Sequence, residues 1–187
     1  MNTKIGISAC LIGRPCNFNG KDLLSEFIQT LPKLAPIEYI AFCPEDSVFG
    51  TPRPNLRIVG GDGYDVIEGS AKVLNELDED VTEKQMAGAR KFLEFLMNAE
   101  VSYAILMDGS PSCGSNVLLK EDGWPRGGFK RGVGVACALL KKNGINVFSG
   151  FDESSIADFL NSTFQGTSIE NARPDLRNMP KFKALFE

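Results

Sequence analysis

Four short apolar runs, residues 4–9, 37–42, 101–107 and 146–149, alternate with stretches of helical spacing, and this alternation limits the fold more than any other feature. Each run ends in Gly, Pro or Ser punctuation. The spacing predicts helices over 22–31, closed by Pro32, over 82–100, over 133–142, ended by Gly144, and over 154–164. Thr82 with Gln85 reads as a capping box, and Met86, Ala89, Phe92, Leu93, Phe95 and Leu96 form a broad apolar face. Residues 56–59 read as a short extended piece, "YDVIEGSAKVLNEL" is ambiguous between helix and mixed structure, and "SNVLLKEDGWPRGGFKRG" reads as a long loop. Strands joined through helices imply right-handed crossovers. The expected fold is therefore α/β, an open, mainly parallel sheet with helices on both faces in a Rossmann-like three-layer arrangement. It spans residues 1–164, with the polar stretch 165–187 as a C-terminal extension.

A chain of 187 residues is long enough for one domain with a sizeable core that needs no disulfide or metal to stand. A net charge of -4 gives no electrostatic footprint for a nucleic-acid polymer. No apolar stretch reads as a signal core or a membrane span, so a cytoplasmic location is expected. Histidine is absent, which removes Ser-His-Asp and Cys-His catalysis and nearly every mixed histidine metal site. Chemistry by this chain must run on thiolate, carboxylate, hydroxyl or a cofactor.

The five cysteines are an odd number and, in a reducing compartment, poor candidates for structural disulfides. Three follow apolar runs directly: Cys10 after the first, Cys43 after the second, and Cys113 in the turn "DGSPSCGSN" after the third. In an open parallel sheet, ligands bind outside the carboxyl ends of the strands, so the fold predicts three thiols at one edge. A single loop-end cysteine has about even odds of being inert, but three at equivalent positions are much less easily dismissed. Zinc accepts three thiolates and a water, yet the zinc deaminases that use this set carry a C-x-x-C pair, and none occurs here. A [4Fe–4S] cluster on three cysteines fits better and leaves one iron open to an exogenous ligand. Cys16 is a candidate fourth ligand or accessory thiol, and Cys137, inside the apolar "VGVACALL", reads as core packing.

Glu45, two residues from Cys43, is a candidate general acid or base, weighed against a solvated loop carboxylate. Ser110 and Ser112 are candidate substrate-orienting hydroxyls or turn caps. "RGGFKRGVG" before a helix start is a candidate anion cradle, with Lys130 and Arg131 adding charge, and Arg53 in "TPRPN" is an isolated candidate of the same kind.

The ordered strings "ISACLIGRPCNFNG", "CPE" with "TPRP", "GGDGYDVIEG" with "DVTE", "SPSCGS" and "GVGVACALLKKNGINVFS" resemble the bacterial DUF523 family, to which the thiouracil desulfurases belong. The resemblance covers roughly residues 4–150. It implies a [4Fe–4S] cluster held by Cys10, Cys43 and Cys113, whose fourth iron takes sulfur from a small thiolated substrate. It also implies Glu45 as catalytic acid/base and Ser110 as assisting hydroxyl. The first reading is thus an iron–sulfur-dependent desulfurase or sulfur-transfer enzyme acting on a thiolated pyrimidine base or similar thiocarbonyl compound. Two others stand beside it: a non-catalytic cluster- or metal-binding protein that handles sulfide or senses redox state, and a nucleotide-binding module using the Gly-rich loop. None of the three calls for a nucleic-acid polymer or a membrane as partner, and the oligomeric state stays open.

Overall fold

In the computed structural model, which describes residues 2–122, 128–170 and 175–187, the first strand, β1 (Thr3–Ser8), turns Ile5 and Ile7 into one core layer. Helix α1 (Glu26–Leu34) starts four residues later than the spacing predicts. Asp22 accepts from the Leu24 N–H at 3.3 Å and holds the chain in a turn, and Ser25 caps the helix instead, accepting from Ile28 N. Pro32 does not end α1. It cannot serve the Ile28 carbonyl one turn back, and the Tyr39 hydroxyl donates to that oxygen at 2.7 Å in its place.

Strand β2 (Ile37–Phe42) is followed by a single helical turn, α2 (Asp46–Phe49). The ambiguous segment resolves into α3 (Gly63–Glu68) and β4 (Lys72–Asn75), and β4 pairs antiparallel with β3 (Leu56–Val59) outside the main sheet. Helix α4 (Thr82–Asn98) lacks the expected capping box. Thr82 Oγ1 is engaged by the Val73 N–H at 2.9 Å, the Asp80 carboxylate accepts from Thr82 N at 3.1 Å, and the Gln85 side chain is buried. After β5 (Tyr103–Leu106), the stretch read as a loop contains an antiparallel hairpin, β6 (Val117–Leu119) and β7 (Phe129–Arg131), while residues 123–127 lie outside the described residues. Helix α5 (Val135–Lys142), β8 (Asn146–Ser149) and α6 (Glu153–Thr163) complete the alternation.

The main sheet is parallel, in the order β2-β1-β5-β8. Period-two alternation sorts its side chains into two cores. Ala104 and Leu106 pack with α4 and α5, whereas Ile5, Ile7 and Ile105 pack with α1 and α6. The α/β sheet with helices on both faces is therefore as expected. Because β2 lies on one side of β1 and β5 on the other, the chain reverses its direction of travel across the sheet between β1 and β5, and such a reversal opens a crevice at the carboxyl edge.

The C-terminal stretch does not stand away from this body. Ile169 is buried in the α1–α6 core, and Leu176 and Phe182 are buried with Val117, against Phe129 and Phe151. No helix among the described residues is long and apolar enough to cross a membrane.

Candidate active site

The pairing of Ser8 with Phe42 brings the ends of β1 and β2 level, and Ile7 pairs with Ile105 on the other side. The chain leaving each strand thus enters the same crevice. A cavity of about 230 Å³ opens there, and Cys10, Cys16, Cys43, Cys113, Glu45, Arg53 and Ser110 all line it.

Each thiol is delivered by a differently built loop. Past β1 a short 3-10 turn (Ala9–Ile12) carries Cys10, whose carbonyl accepts from Leu23 N at 3.1 Å and folds the following loop back so that Cys16 returns to the cavity. Past β2, the Cys43-Pro44-Glu45 loop lies against α4 at Gly88. A side chain there would put Cβ 2.4 Å from the Pro44 carbonyl oxygen, so only glycine allows this approach. The Cys43 thiol donates to the Cys16 carbonyl at 3.6 Å and accepts from the Asp46 N–H at 3.4 Å.

The turn carrying Cys113 is the most tightly held. The Pro111 carbonyl accepts from Val135 N, and the Ser112 carbonyl accepts from Ala136 N and Cys137 N, so the turn occupies the amides at the start of α5. Gly134 makes the fit possible: a Cβ on it would lie 2.4 Å from both the carbonyl carbon and oxygen of Ser112. Behind the turn, the buried Asp108 carboxylate accepts from Ser115 N at 2.6 Å, Ser115 Oγ at 3.0 Å, Asn116 N at 2.9 Å and Val117 N at 3.2 Å. One buried acid thus fixes the whole exit of the loop.

Glu45 and Ser110 meet. The Ser110 hydroxyl donates to Glu45 Oε1 at 3.1 Å and accepts from the N–H groups of Ser112 and Cys113, each at 3.1 Å. The other carboxylate oxygen, Oε2, is held by Arg53 through Nε at 3.1 Å and Nη2 at 2.8 Å. Arg53 also donates to the carbonyls of Cys16 and Gly50, which ties the acid to the thiol-bearing loop. Glu45 and Arg53 are both buried, so the ion pair is mutual compensation for desolvation.

Burial and hydrogen bonding between thiols favour the protonated form of Cys16, Cys43 and Cys113. Hydrogen bonding with Cys10 leads in pushing Cys16 up to about 11. Cys43 is pushed far above the usual thiol range, first by its hydrogen bond with Cys16 and then by burial, and burial does the same to Cys113. Cys137, on α5 and away from the cavity lining, is pushed up to about 12 by burial, in keeping with core packing.

Three expected binding residues are not brought to the cavity. Ser112 is fully buried with its hydroxyl unpartnered, because its backbone rather than its side chain serves the turn. Lys130 lies on β7, where its ammonium donates to the Gly61 carbonyl at 2.9 Å and pairs with Glu121 at 3.2 Å. Arg131 sits 5.4 Å from the ring centre of Phe186. In the Gly-rich run before α5 the described amides at the helix start are already engaged: Val133 N is bonded to Asp62 Oδ2, Gly134 N to the Gly114 carbonyl, and the first helix amides to Pro111 and Ser112. Arg126 and Gly127, which begin that run, lie outside the described residues.

Asp108 and the partnership of Arg53 with Glu45 escaped sequence reasoning. An Asp-Gly step ahead of a Ser/Asn-rich loop is a recognisable backbone-capping signal, but charges eight residues apart across a Pro-rich loop carry none.

Comparison with known proteins agrees with this geometry. Residues 5–152 match the 2-thiouracil desulfurase family model. The uncharacterized protein YbbK of Bacillus subtilis (strain 168) is 39% identical over 155 residues, which cover 82% of this chain and 98% of that protein. The solved structure of the [4Fe–4S]-dependent thiouracil desulfidase TudS superposes with a TM-score of 0.65 at 32% identity, covering 85% of this chain and 95% of that one. With a match of this extent, on a chain whose strand-end thiols, carboxylate and hydroxyl share one cavity, the chain belongs to the 2-thiouracil desulfurase family.

Proposed function

We propose that the chain is a [4Fe–4S]-dependent desulfurase that removes sulfur from a thiolated pyrimidine base or a similar small thiocarbonyl compound. The observation that carries this reading is the convergence of Cys10, Cys43 and Cys113 on the same cavity as the hydrogen-bonded Glu45 and Ser110. Among the described residues, no group of three or more Cys, Asp or Glu side chains is gathered closely enough to hold a single metal ion. A cubane asks for something different. Each thiolate binds its own iron, so the ligands must be spread around a space and not focused on one point. Three soft thiol donors brought to one cavity by three separate strand-end loops, with no histidine in the chain, fit that demand. Cys10, Cys43 and Cys113 would hold the cluster, giving up their protons as it binds.

When bound, the cluster supplies an open iron with affinity for the thiocarbonyl sulfur. The overall change is hydrolytic: C=S and water become C=O and hydrogen sulfide, with no net electron transfer. Glu45, held against Arg53 through Oε2, keeps Oε1 for a proton from the attacking water. Ser110 has both acceptor positions filled by the amides of Ser112 and Cys113, so its one proton must point outward, toward Glu45 in the resting site. Once Glu45 is protonated it no longer needs that hydrogen bond. The Ser110 hydroxyl is then released to donate to the substrate, and Glu45 can pass its proton to the departing sulfur.

The test is sulfide release from 2-thiouracil by the anaerobically reconstituted protein. Glu45→Gln should bind iron like the wild type and lose on the order of 10²–10⁴-fold in turnover. A variant that keeps full turnover would remove Glu45 from the chemistry.

A further inference from the structure

One wall of the cavity is braced by chain that the family match does not include. The match ends at residue 152, whereas Lys181 is among the lining residues and its neighbour Phe182 is completely buried. The Phe182 ring lies edge-on to Phe129, with centres 4.9 Å apart, and 6.0 Å from Phe151. Both of those half-buried rings line the cavity. Phe129 stands on the β6–β7 hairpin, whose strands are three residues each and join neither of the other sheets. A two-stranded ribbon this short does not stand by itself and has to be held from outside.

Two attachments hold it. On one side Gly109 N donates to the Val117 carbonyl at 2.9 Å and Gly109 bridges to Leu118, which fastens the hairpin to the loop that carries Ser110. On the other, Leu176 and Phe182 bury Val117 and pack against Phe129. The contact continues inward, because Cε1 of Phe129 lies 3.4 Å from the place a side chain on Gly109 would occupy. The C-terminal segment has a separate anchor in Ile169, which is buried in the α1–α6 core and whose N–H and carbonyl are bonded to the Asn161 side chain at 2.8 and 3.1 Å. Keeping the segment on the protein therefore does not fall to Phe182 alone; what Phe182 meets is the cavity wall.

We propose that Phe182 is a positioning residue for the cavity: acting through Phe129 and Phe151, it keeps the outer wall closed beside the strand-end thiols and limits the access of water and small solutes to them. The consequence for a cluster rests on the desulfurase reading, since exclusion of solvent protects an open iron and strengthens the electrostatics of the site. The wall itself can be judged without that reading.

Alkylation of the cluster-free protein by N-ethylmaleimide under anaerobic conditions, read thiol by thiol by peptide mass spectrometry, tests this on the wild type, Phe182→Ala, Phe182→Leu and Ile169→Ala. Cys137, fully buried on α5 and outside the cavity lining, reports general unfolding. In Phe182→Ala, Cys10, Cys43 and Cys113 should react about tenfold faster than in the wild type while Cys137 does not change, the signature of a local opening. Phe182→Leu keeps most of the apolar volume and should raise the same three rates about threefold. Ile169→Ala should leave the cavity thiols at the wild-type rate. In the cluster-loaded protein, loss of the cluster's visible absorption in air should accelerate in the same order. Wild-type rates in both Phe182 variants, an equal acceleration of Cys137, or as large a rise in Ile169→Ala would overturn the assignment. If the cavity thiols open as expected and even the wild type takes up no cluster, the cluster reading falls and the wall remains. If 2-thiouracil is desulfurated while neither Phe182 variant changes any rate, the role of Phe182 falls alone.

Discussion

The two sides of the cavity are built by different means. On the sheet side, Cys113, Ser110 and Glu45 are fixed largely by directional bonds: amides of α5 on the Pro111 and Ser112 carbonyls, four donors on Asp108, and a buried guanidinium on Glu45. On the outer side, Phe129, Phe151 and Phe182 hold one another by ring contacts, and Lys181 rests on two of them. Hydrogen bonds lose strength within a few tenths of an ångström, whereas aromatic packing accepts exchange at similar volume. The sheet side is therefore the one with little freedom to shift, whereas the outer wall tolerates exchange at similar volume. The family match covers the sheet-side residues together with Phe129 and Phe151 of the outer wall, and ends before Lys181 and Phe182.

The contrast is open to direct attack. The largest effect is expected at the ion pair, where Arg53→Met leaves the Glu45 carboxylate buried without its counter-charge. Denaturant titration should show a loss of about 3–5 kcal/mol; a loss under about 1 kcal/mol would mean that Glu45 finds water on this side of the cavity. Next comes Gly134→Ala, which forces the Cys113 turn off the start of α5. A stability cost of about 1–3 kcal/mol is expected, with reduced iron uptake; unchanged uptake would show that the turn need not be held so closely. The smallest effect belongs to Lys130→Ala, whose ion pair with Glu121 is partly exposed and away from the cavity. Stability should stay within about 0.5 kcal/mol of wild type, and sulfide release should not change. A large loss of turnover there would restore the Gly-rich run as a substrate-binding element.

Much of the sheet side was legible in the sequence because its signals are local. Apolar runs of strand length ended by Gly and Pro give the parallel strands, and the position of a residue just past a strand end gives its placement at the edge, which is how Cys10, Cys43 and Cys113 could be grouped. The capping box at Thr82 and the helix end at Pro32 were misread because tertiary partners intervened: Val73 took the Thr82 hydroxyl, and Tyr39 satisfied the carbonyl that Pro32 left open. Lys130 and Arg131 illustrate a deeper limit. A basic Gly-rich stretch before a helix does suggest an anion site, but here the helix amides were already claimed by a turn more than twenty residues earlier in the chain, and nothing local to the stretch says so. Lys181 is the converse case. Its placement depends on Phe182 finding a slot between a hairpin and the end of the main sheet, a contact between distant segments that no spacing rule encodes.

The central claim is that three strand-end thiols form one cluster site. Anaerobic reconstitution with iron and sulfide, followed by iron and sulfide analysis of the wild type and of Cys10→Ala, Cys43→Ala and Cys113→Ala, tests it most directly. The account predicts roughly four irons and four sulfides per wild-type chain, and loss of the cluster in each variant. A wild type that stays free of iron, or variants that load as fully as the wild type, would contradict it.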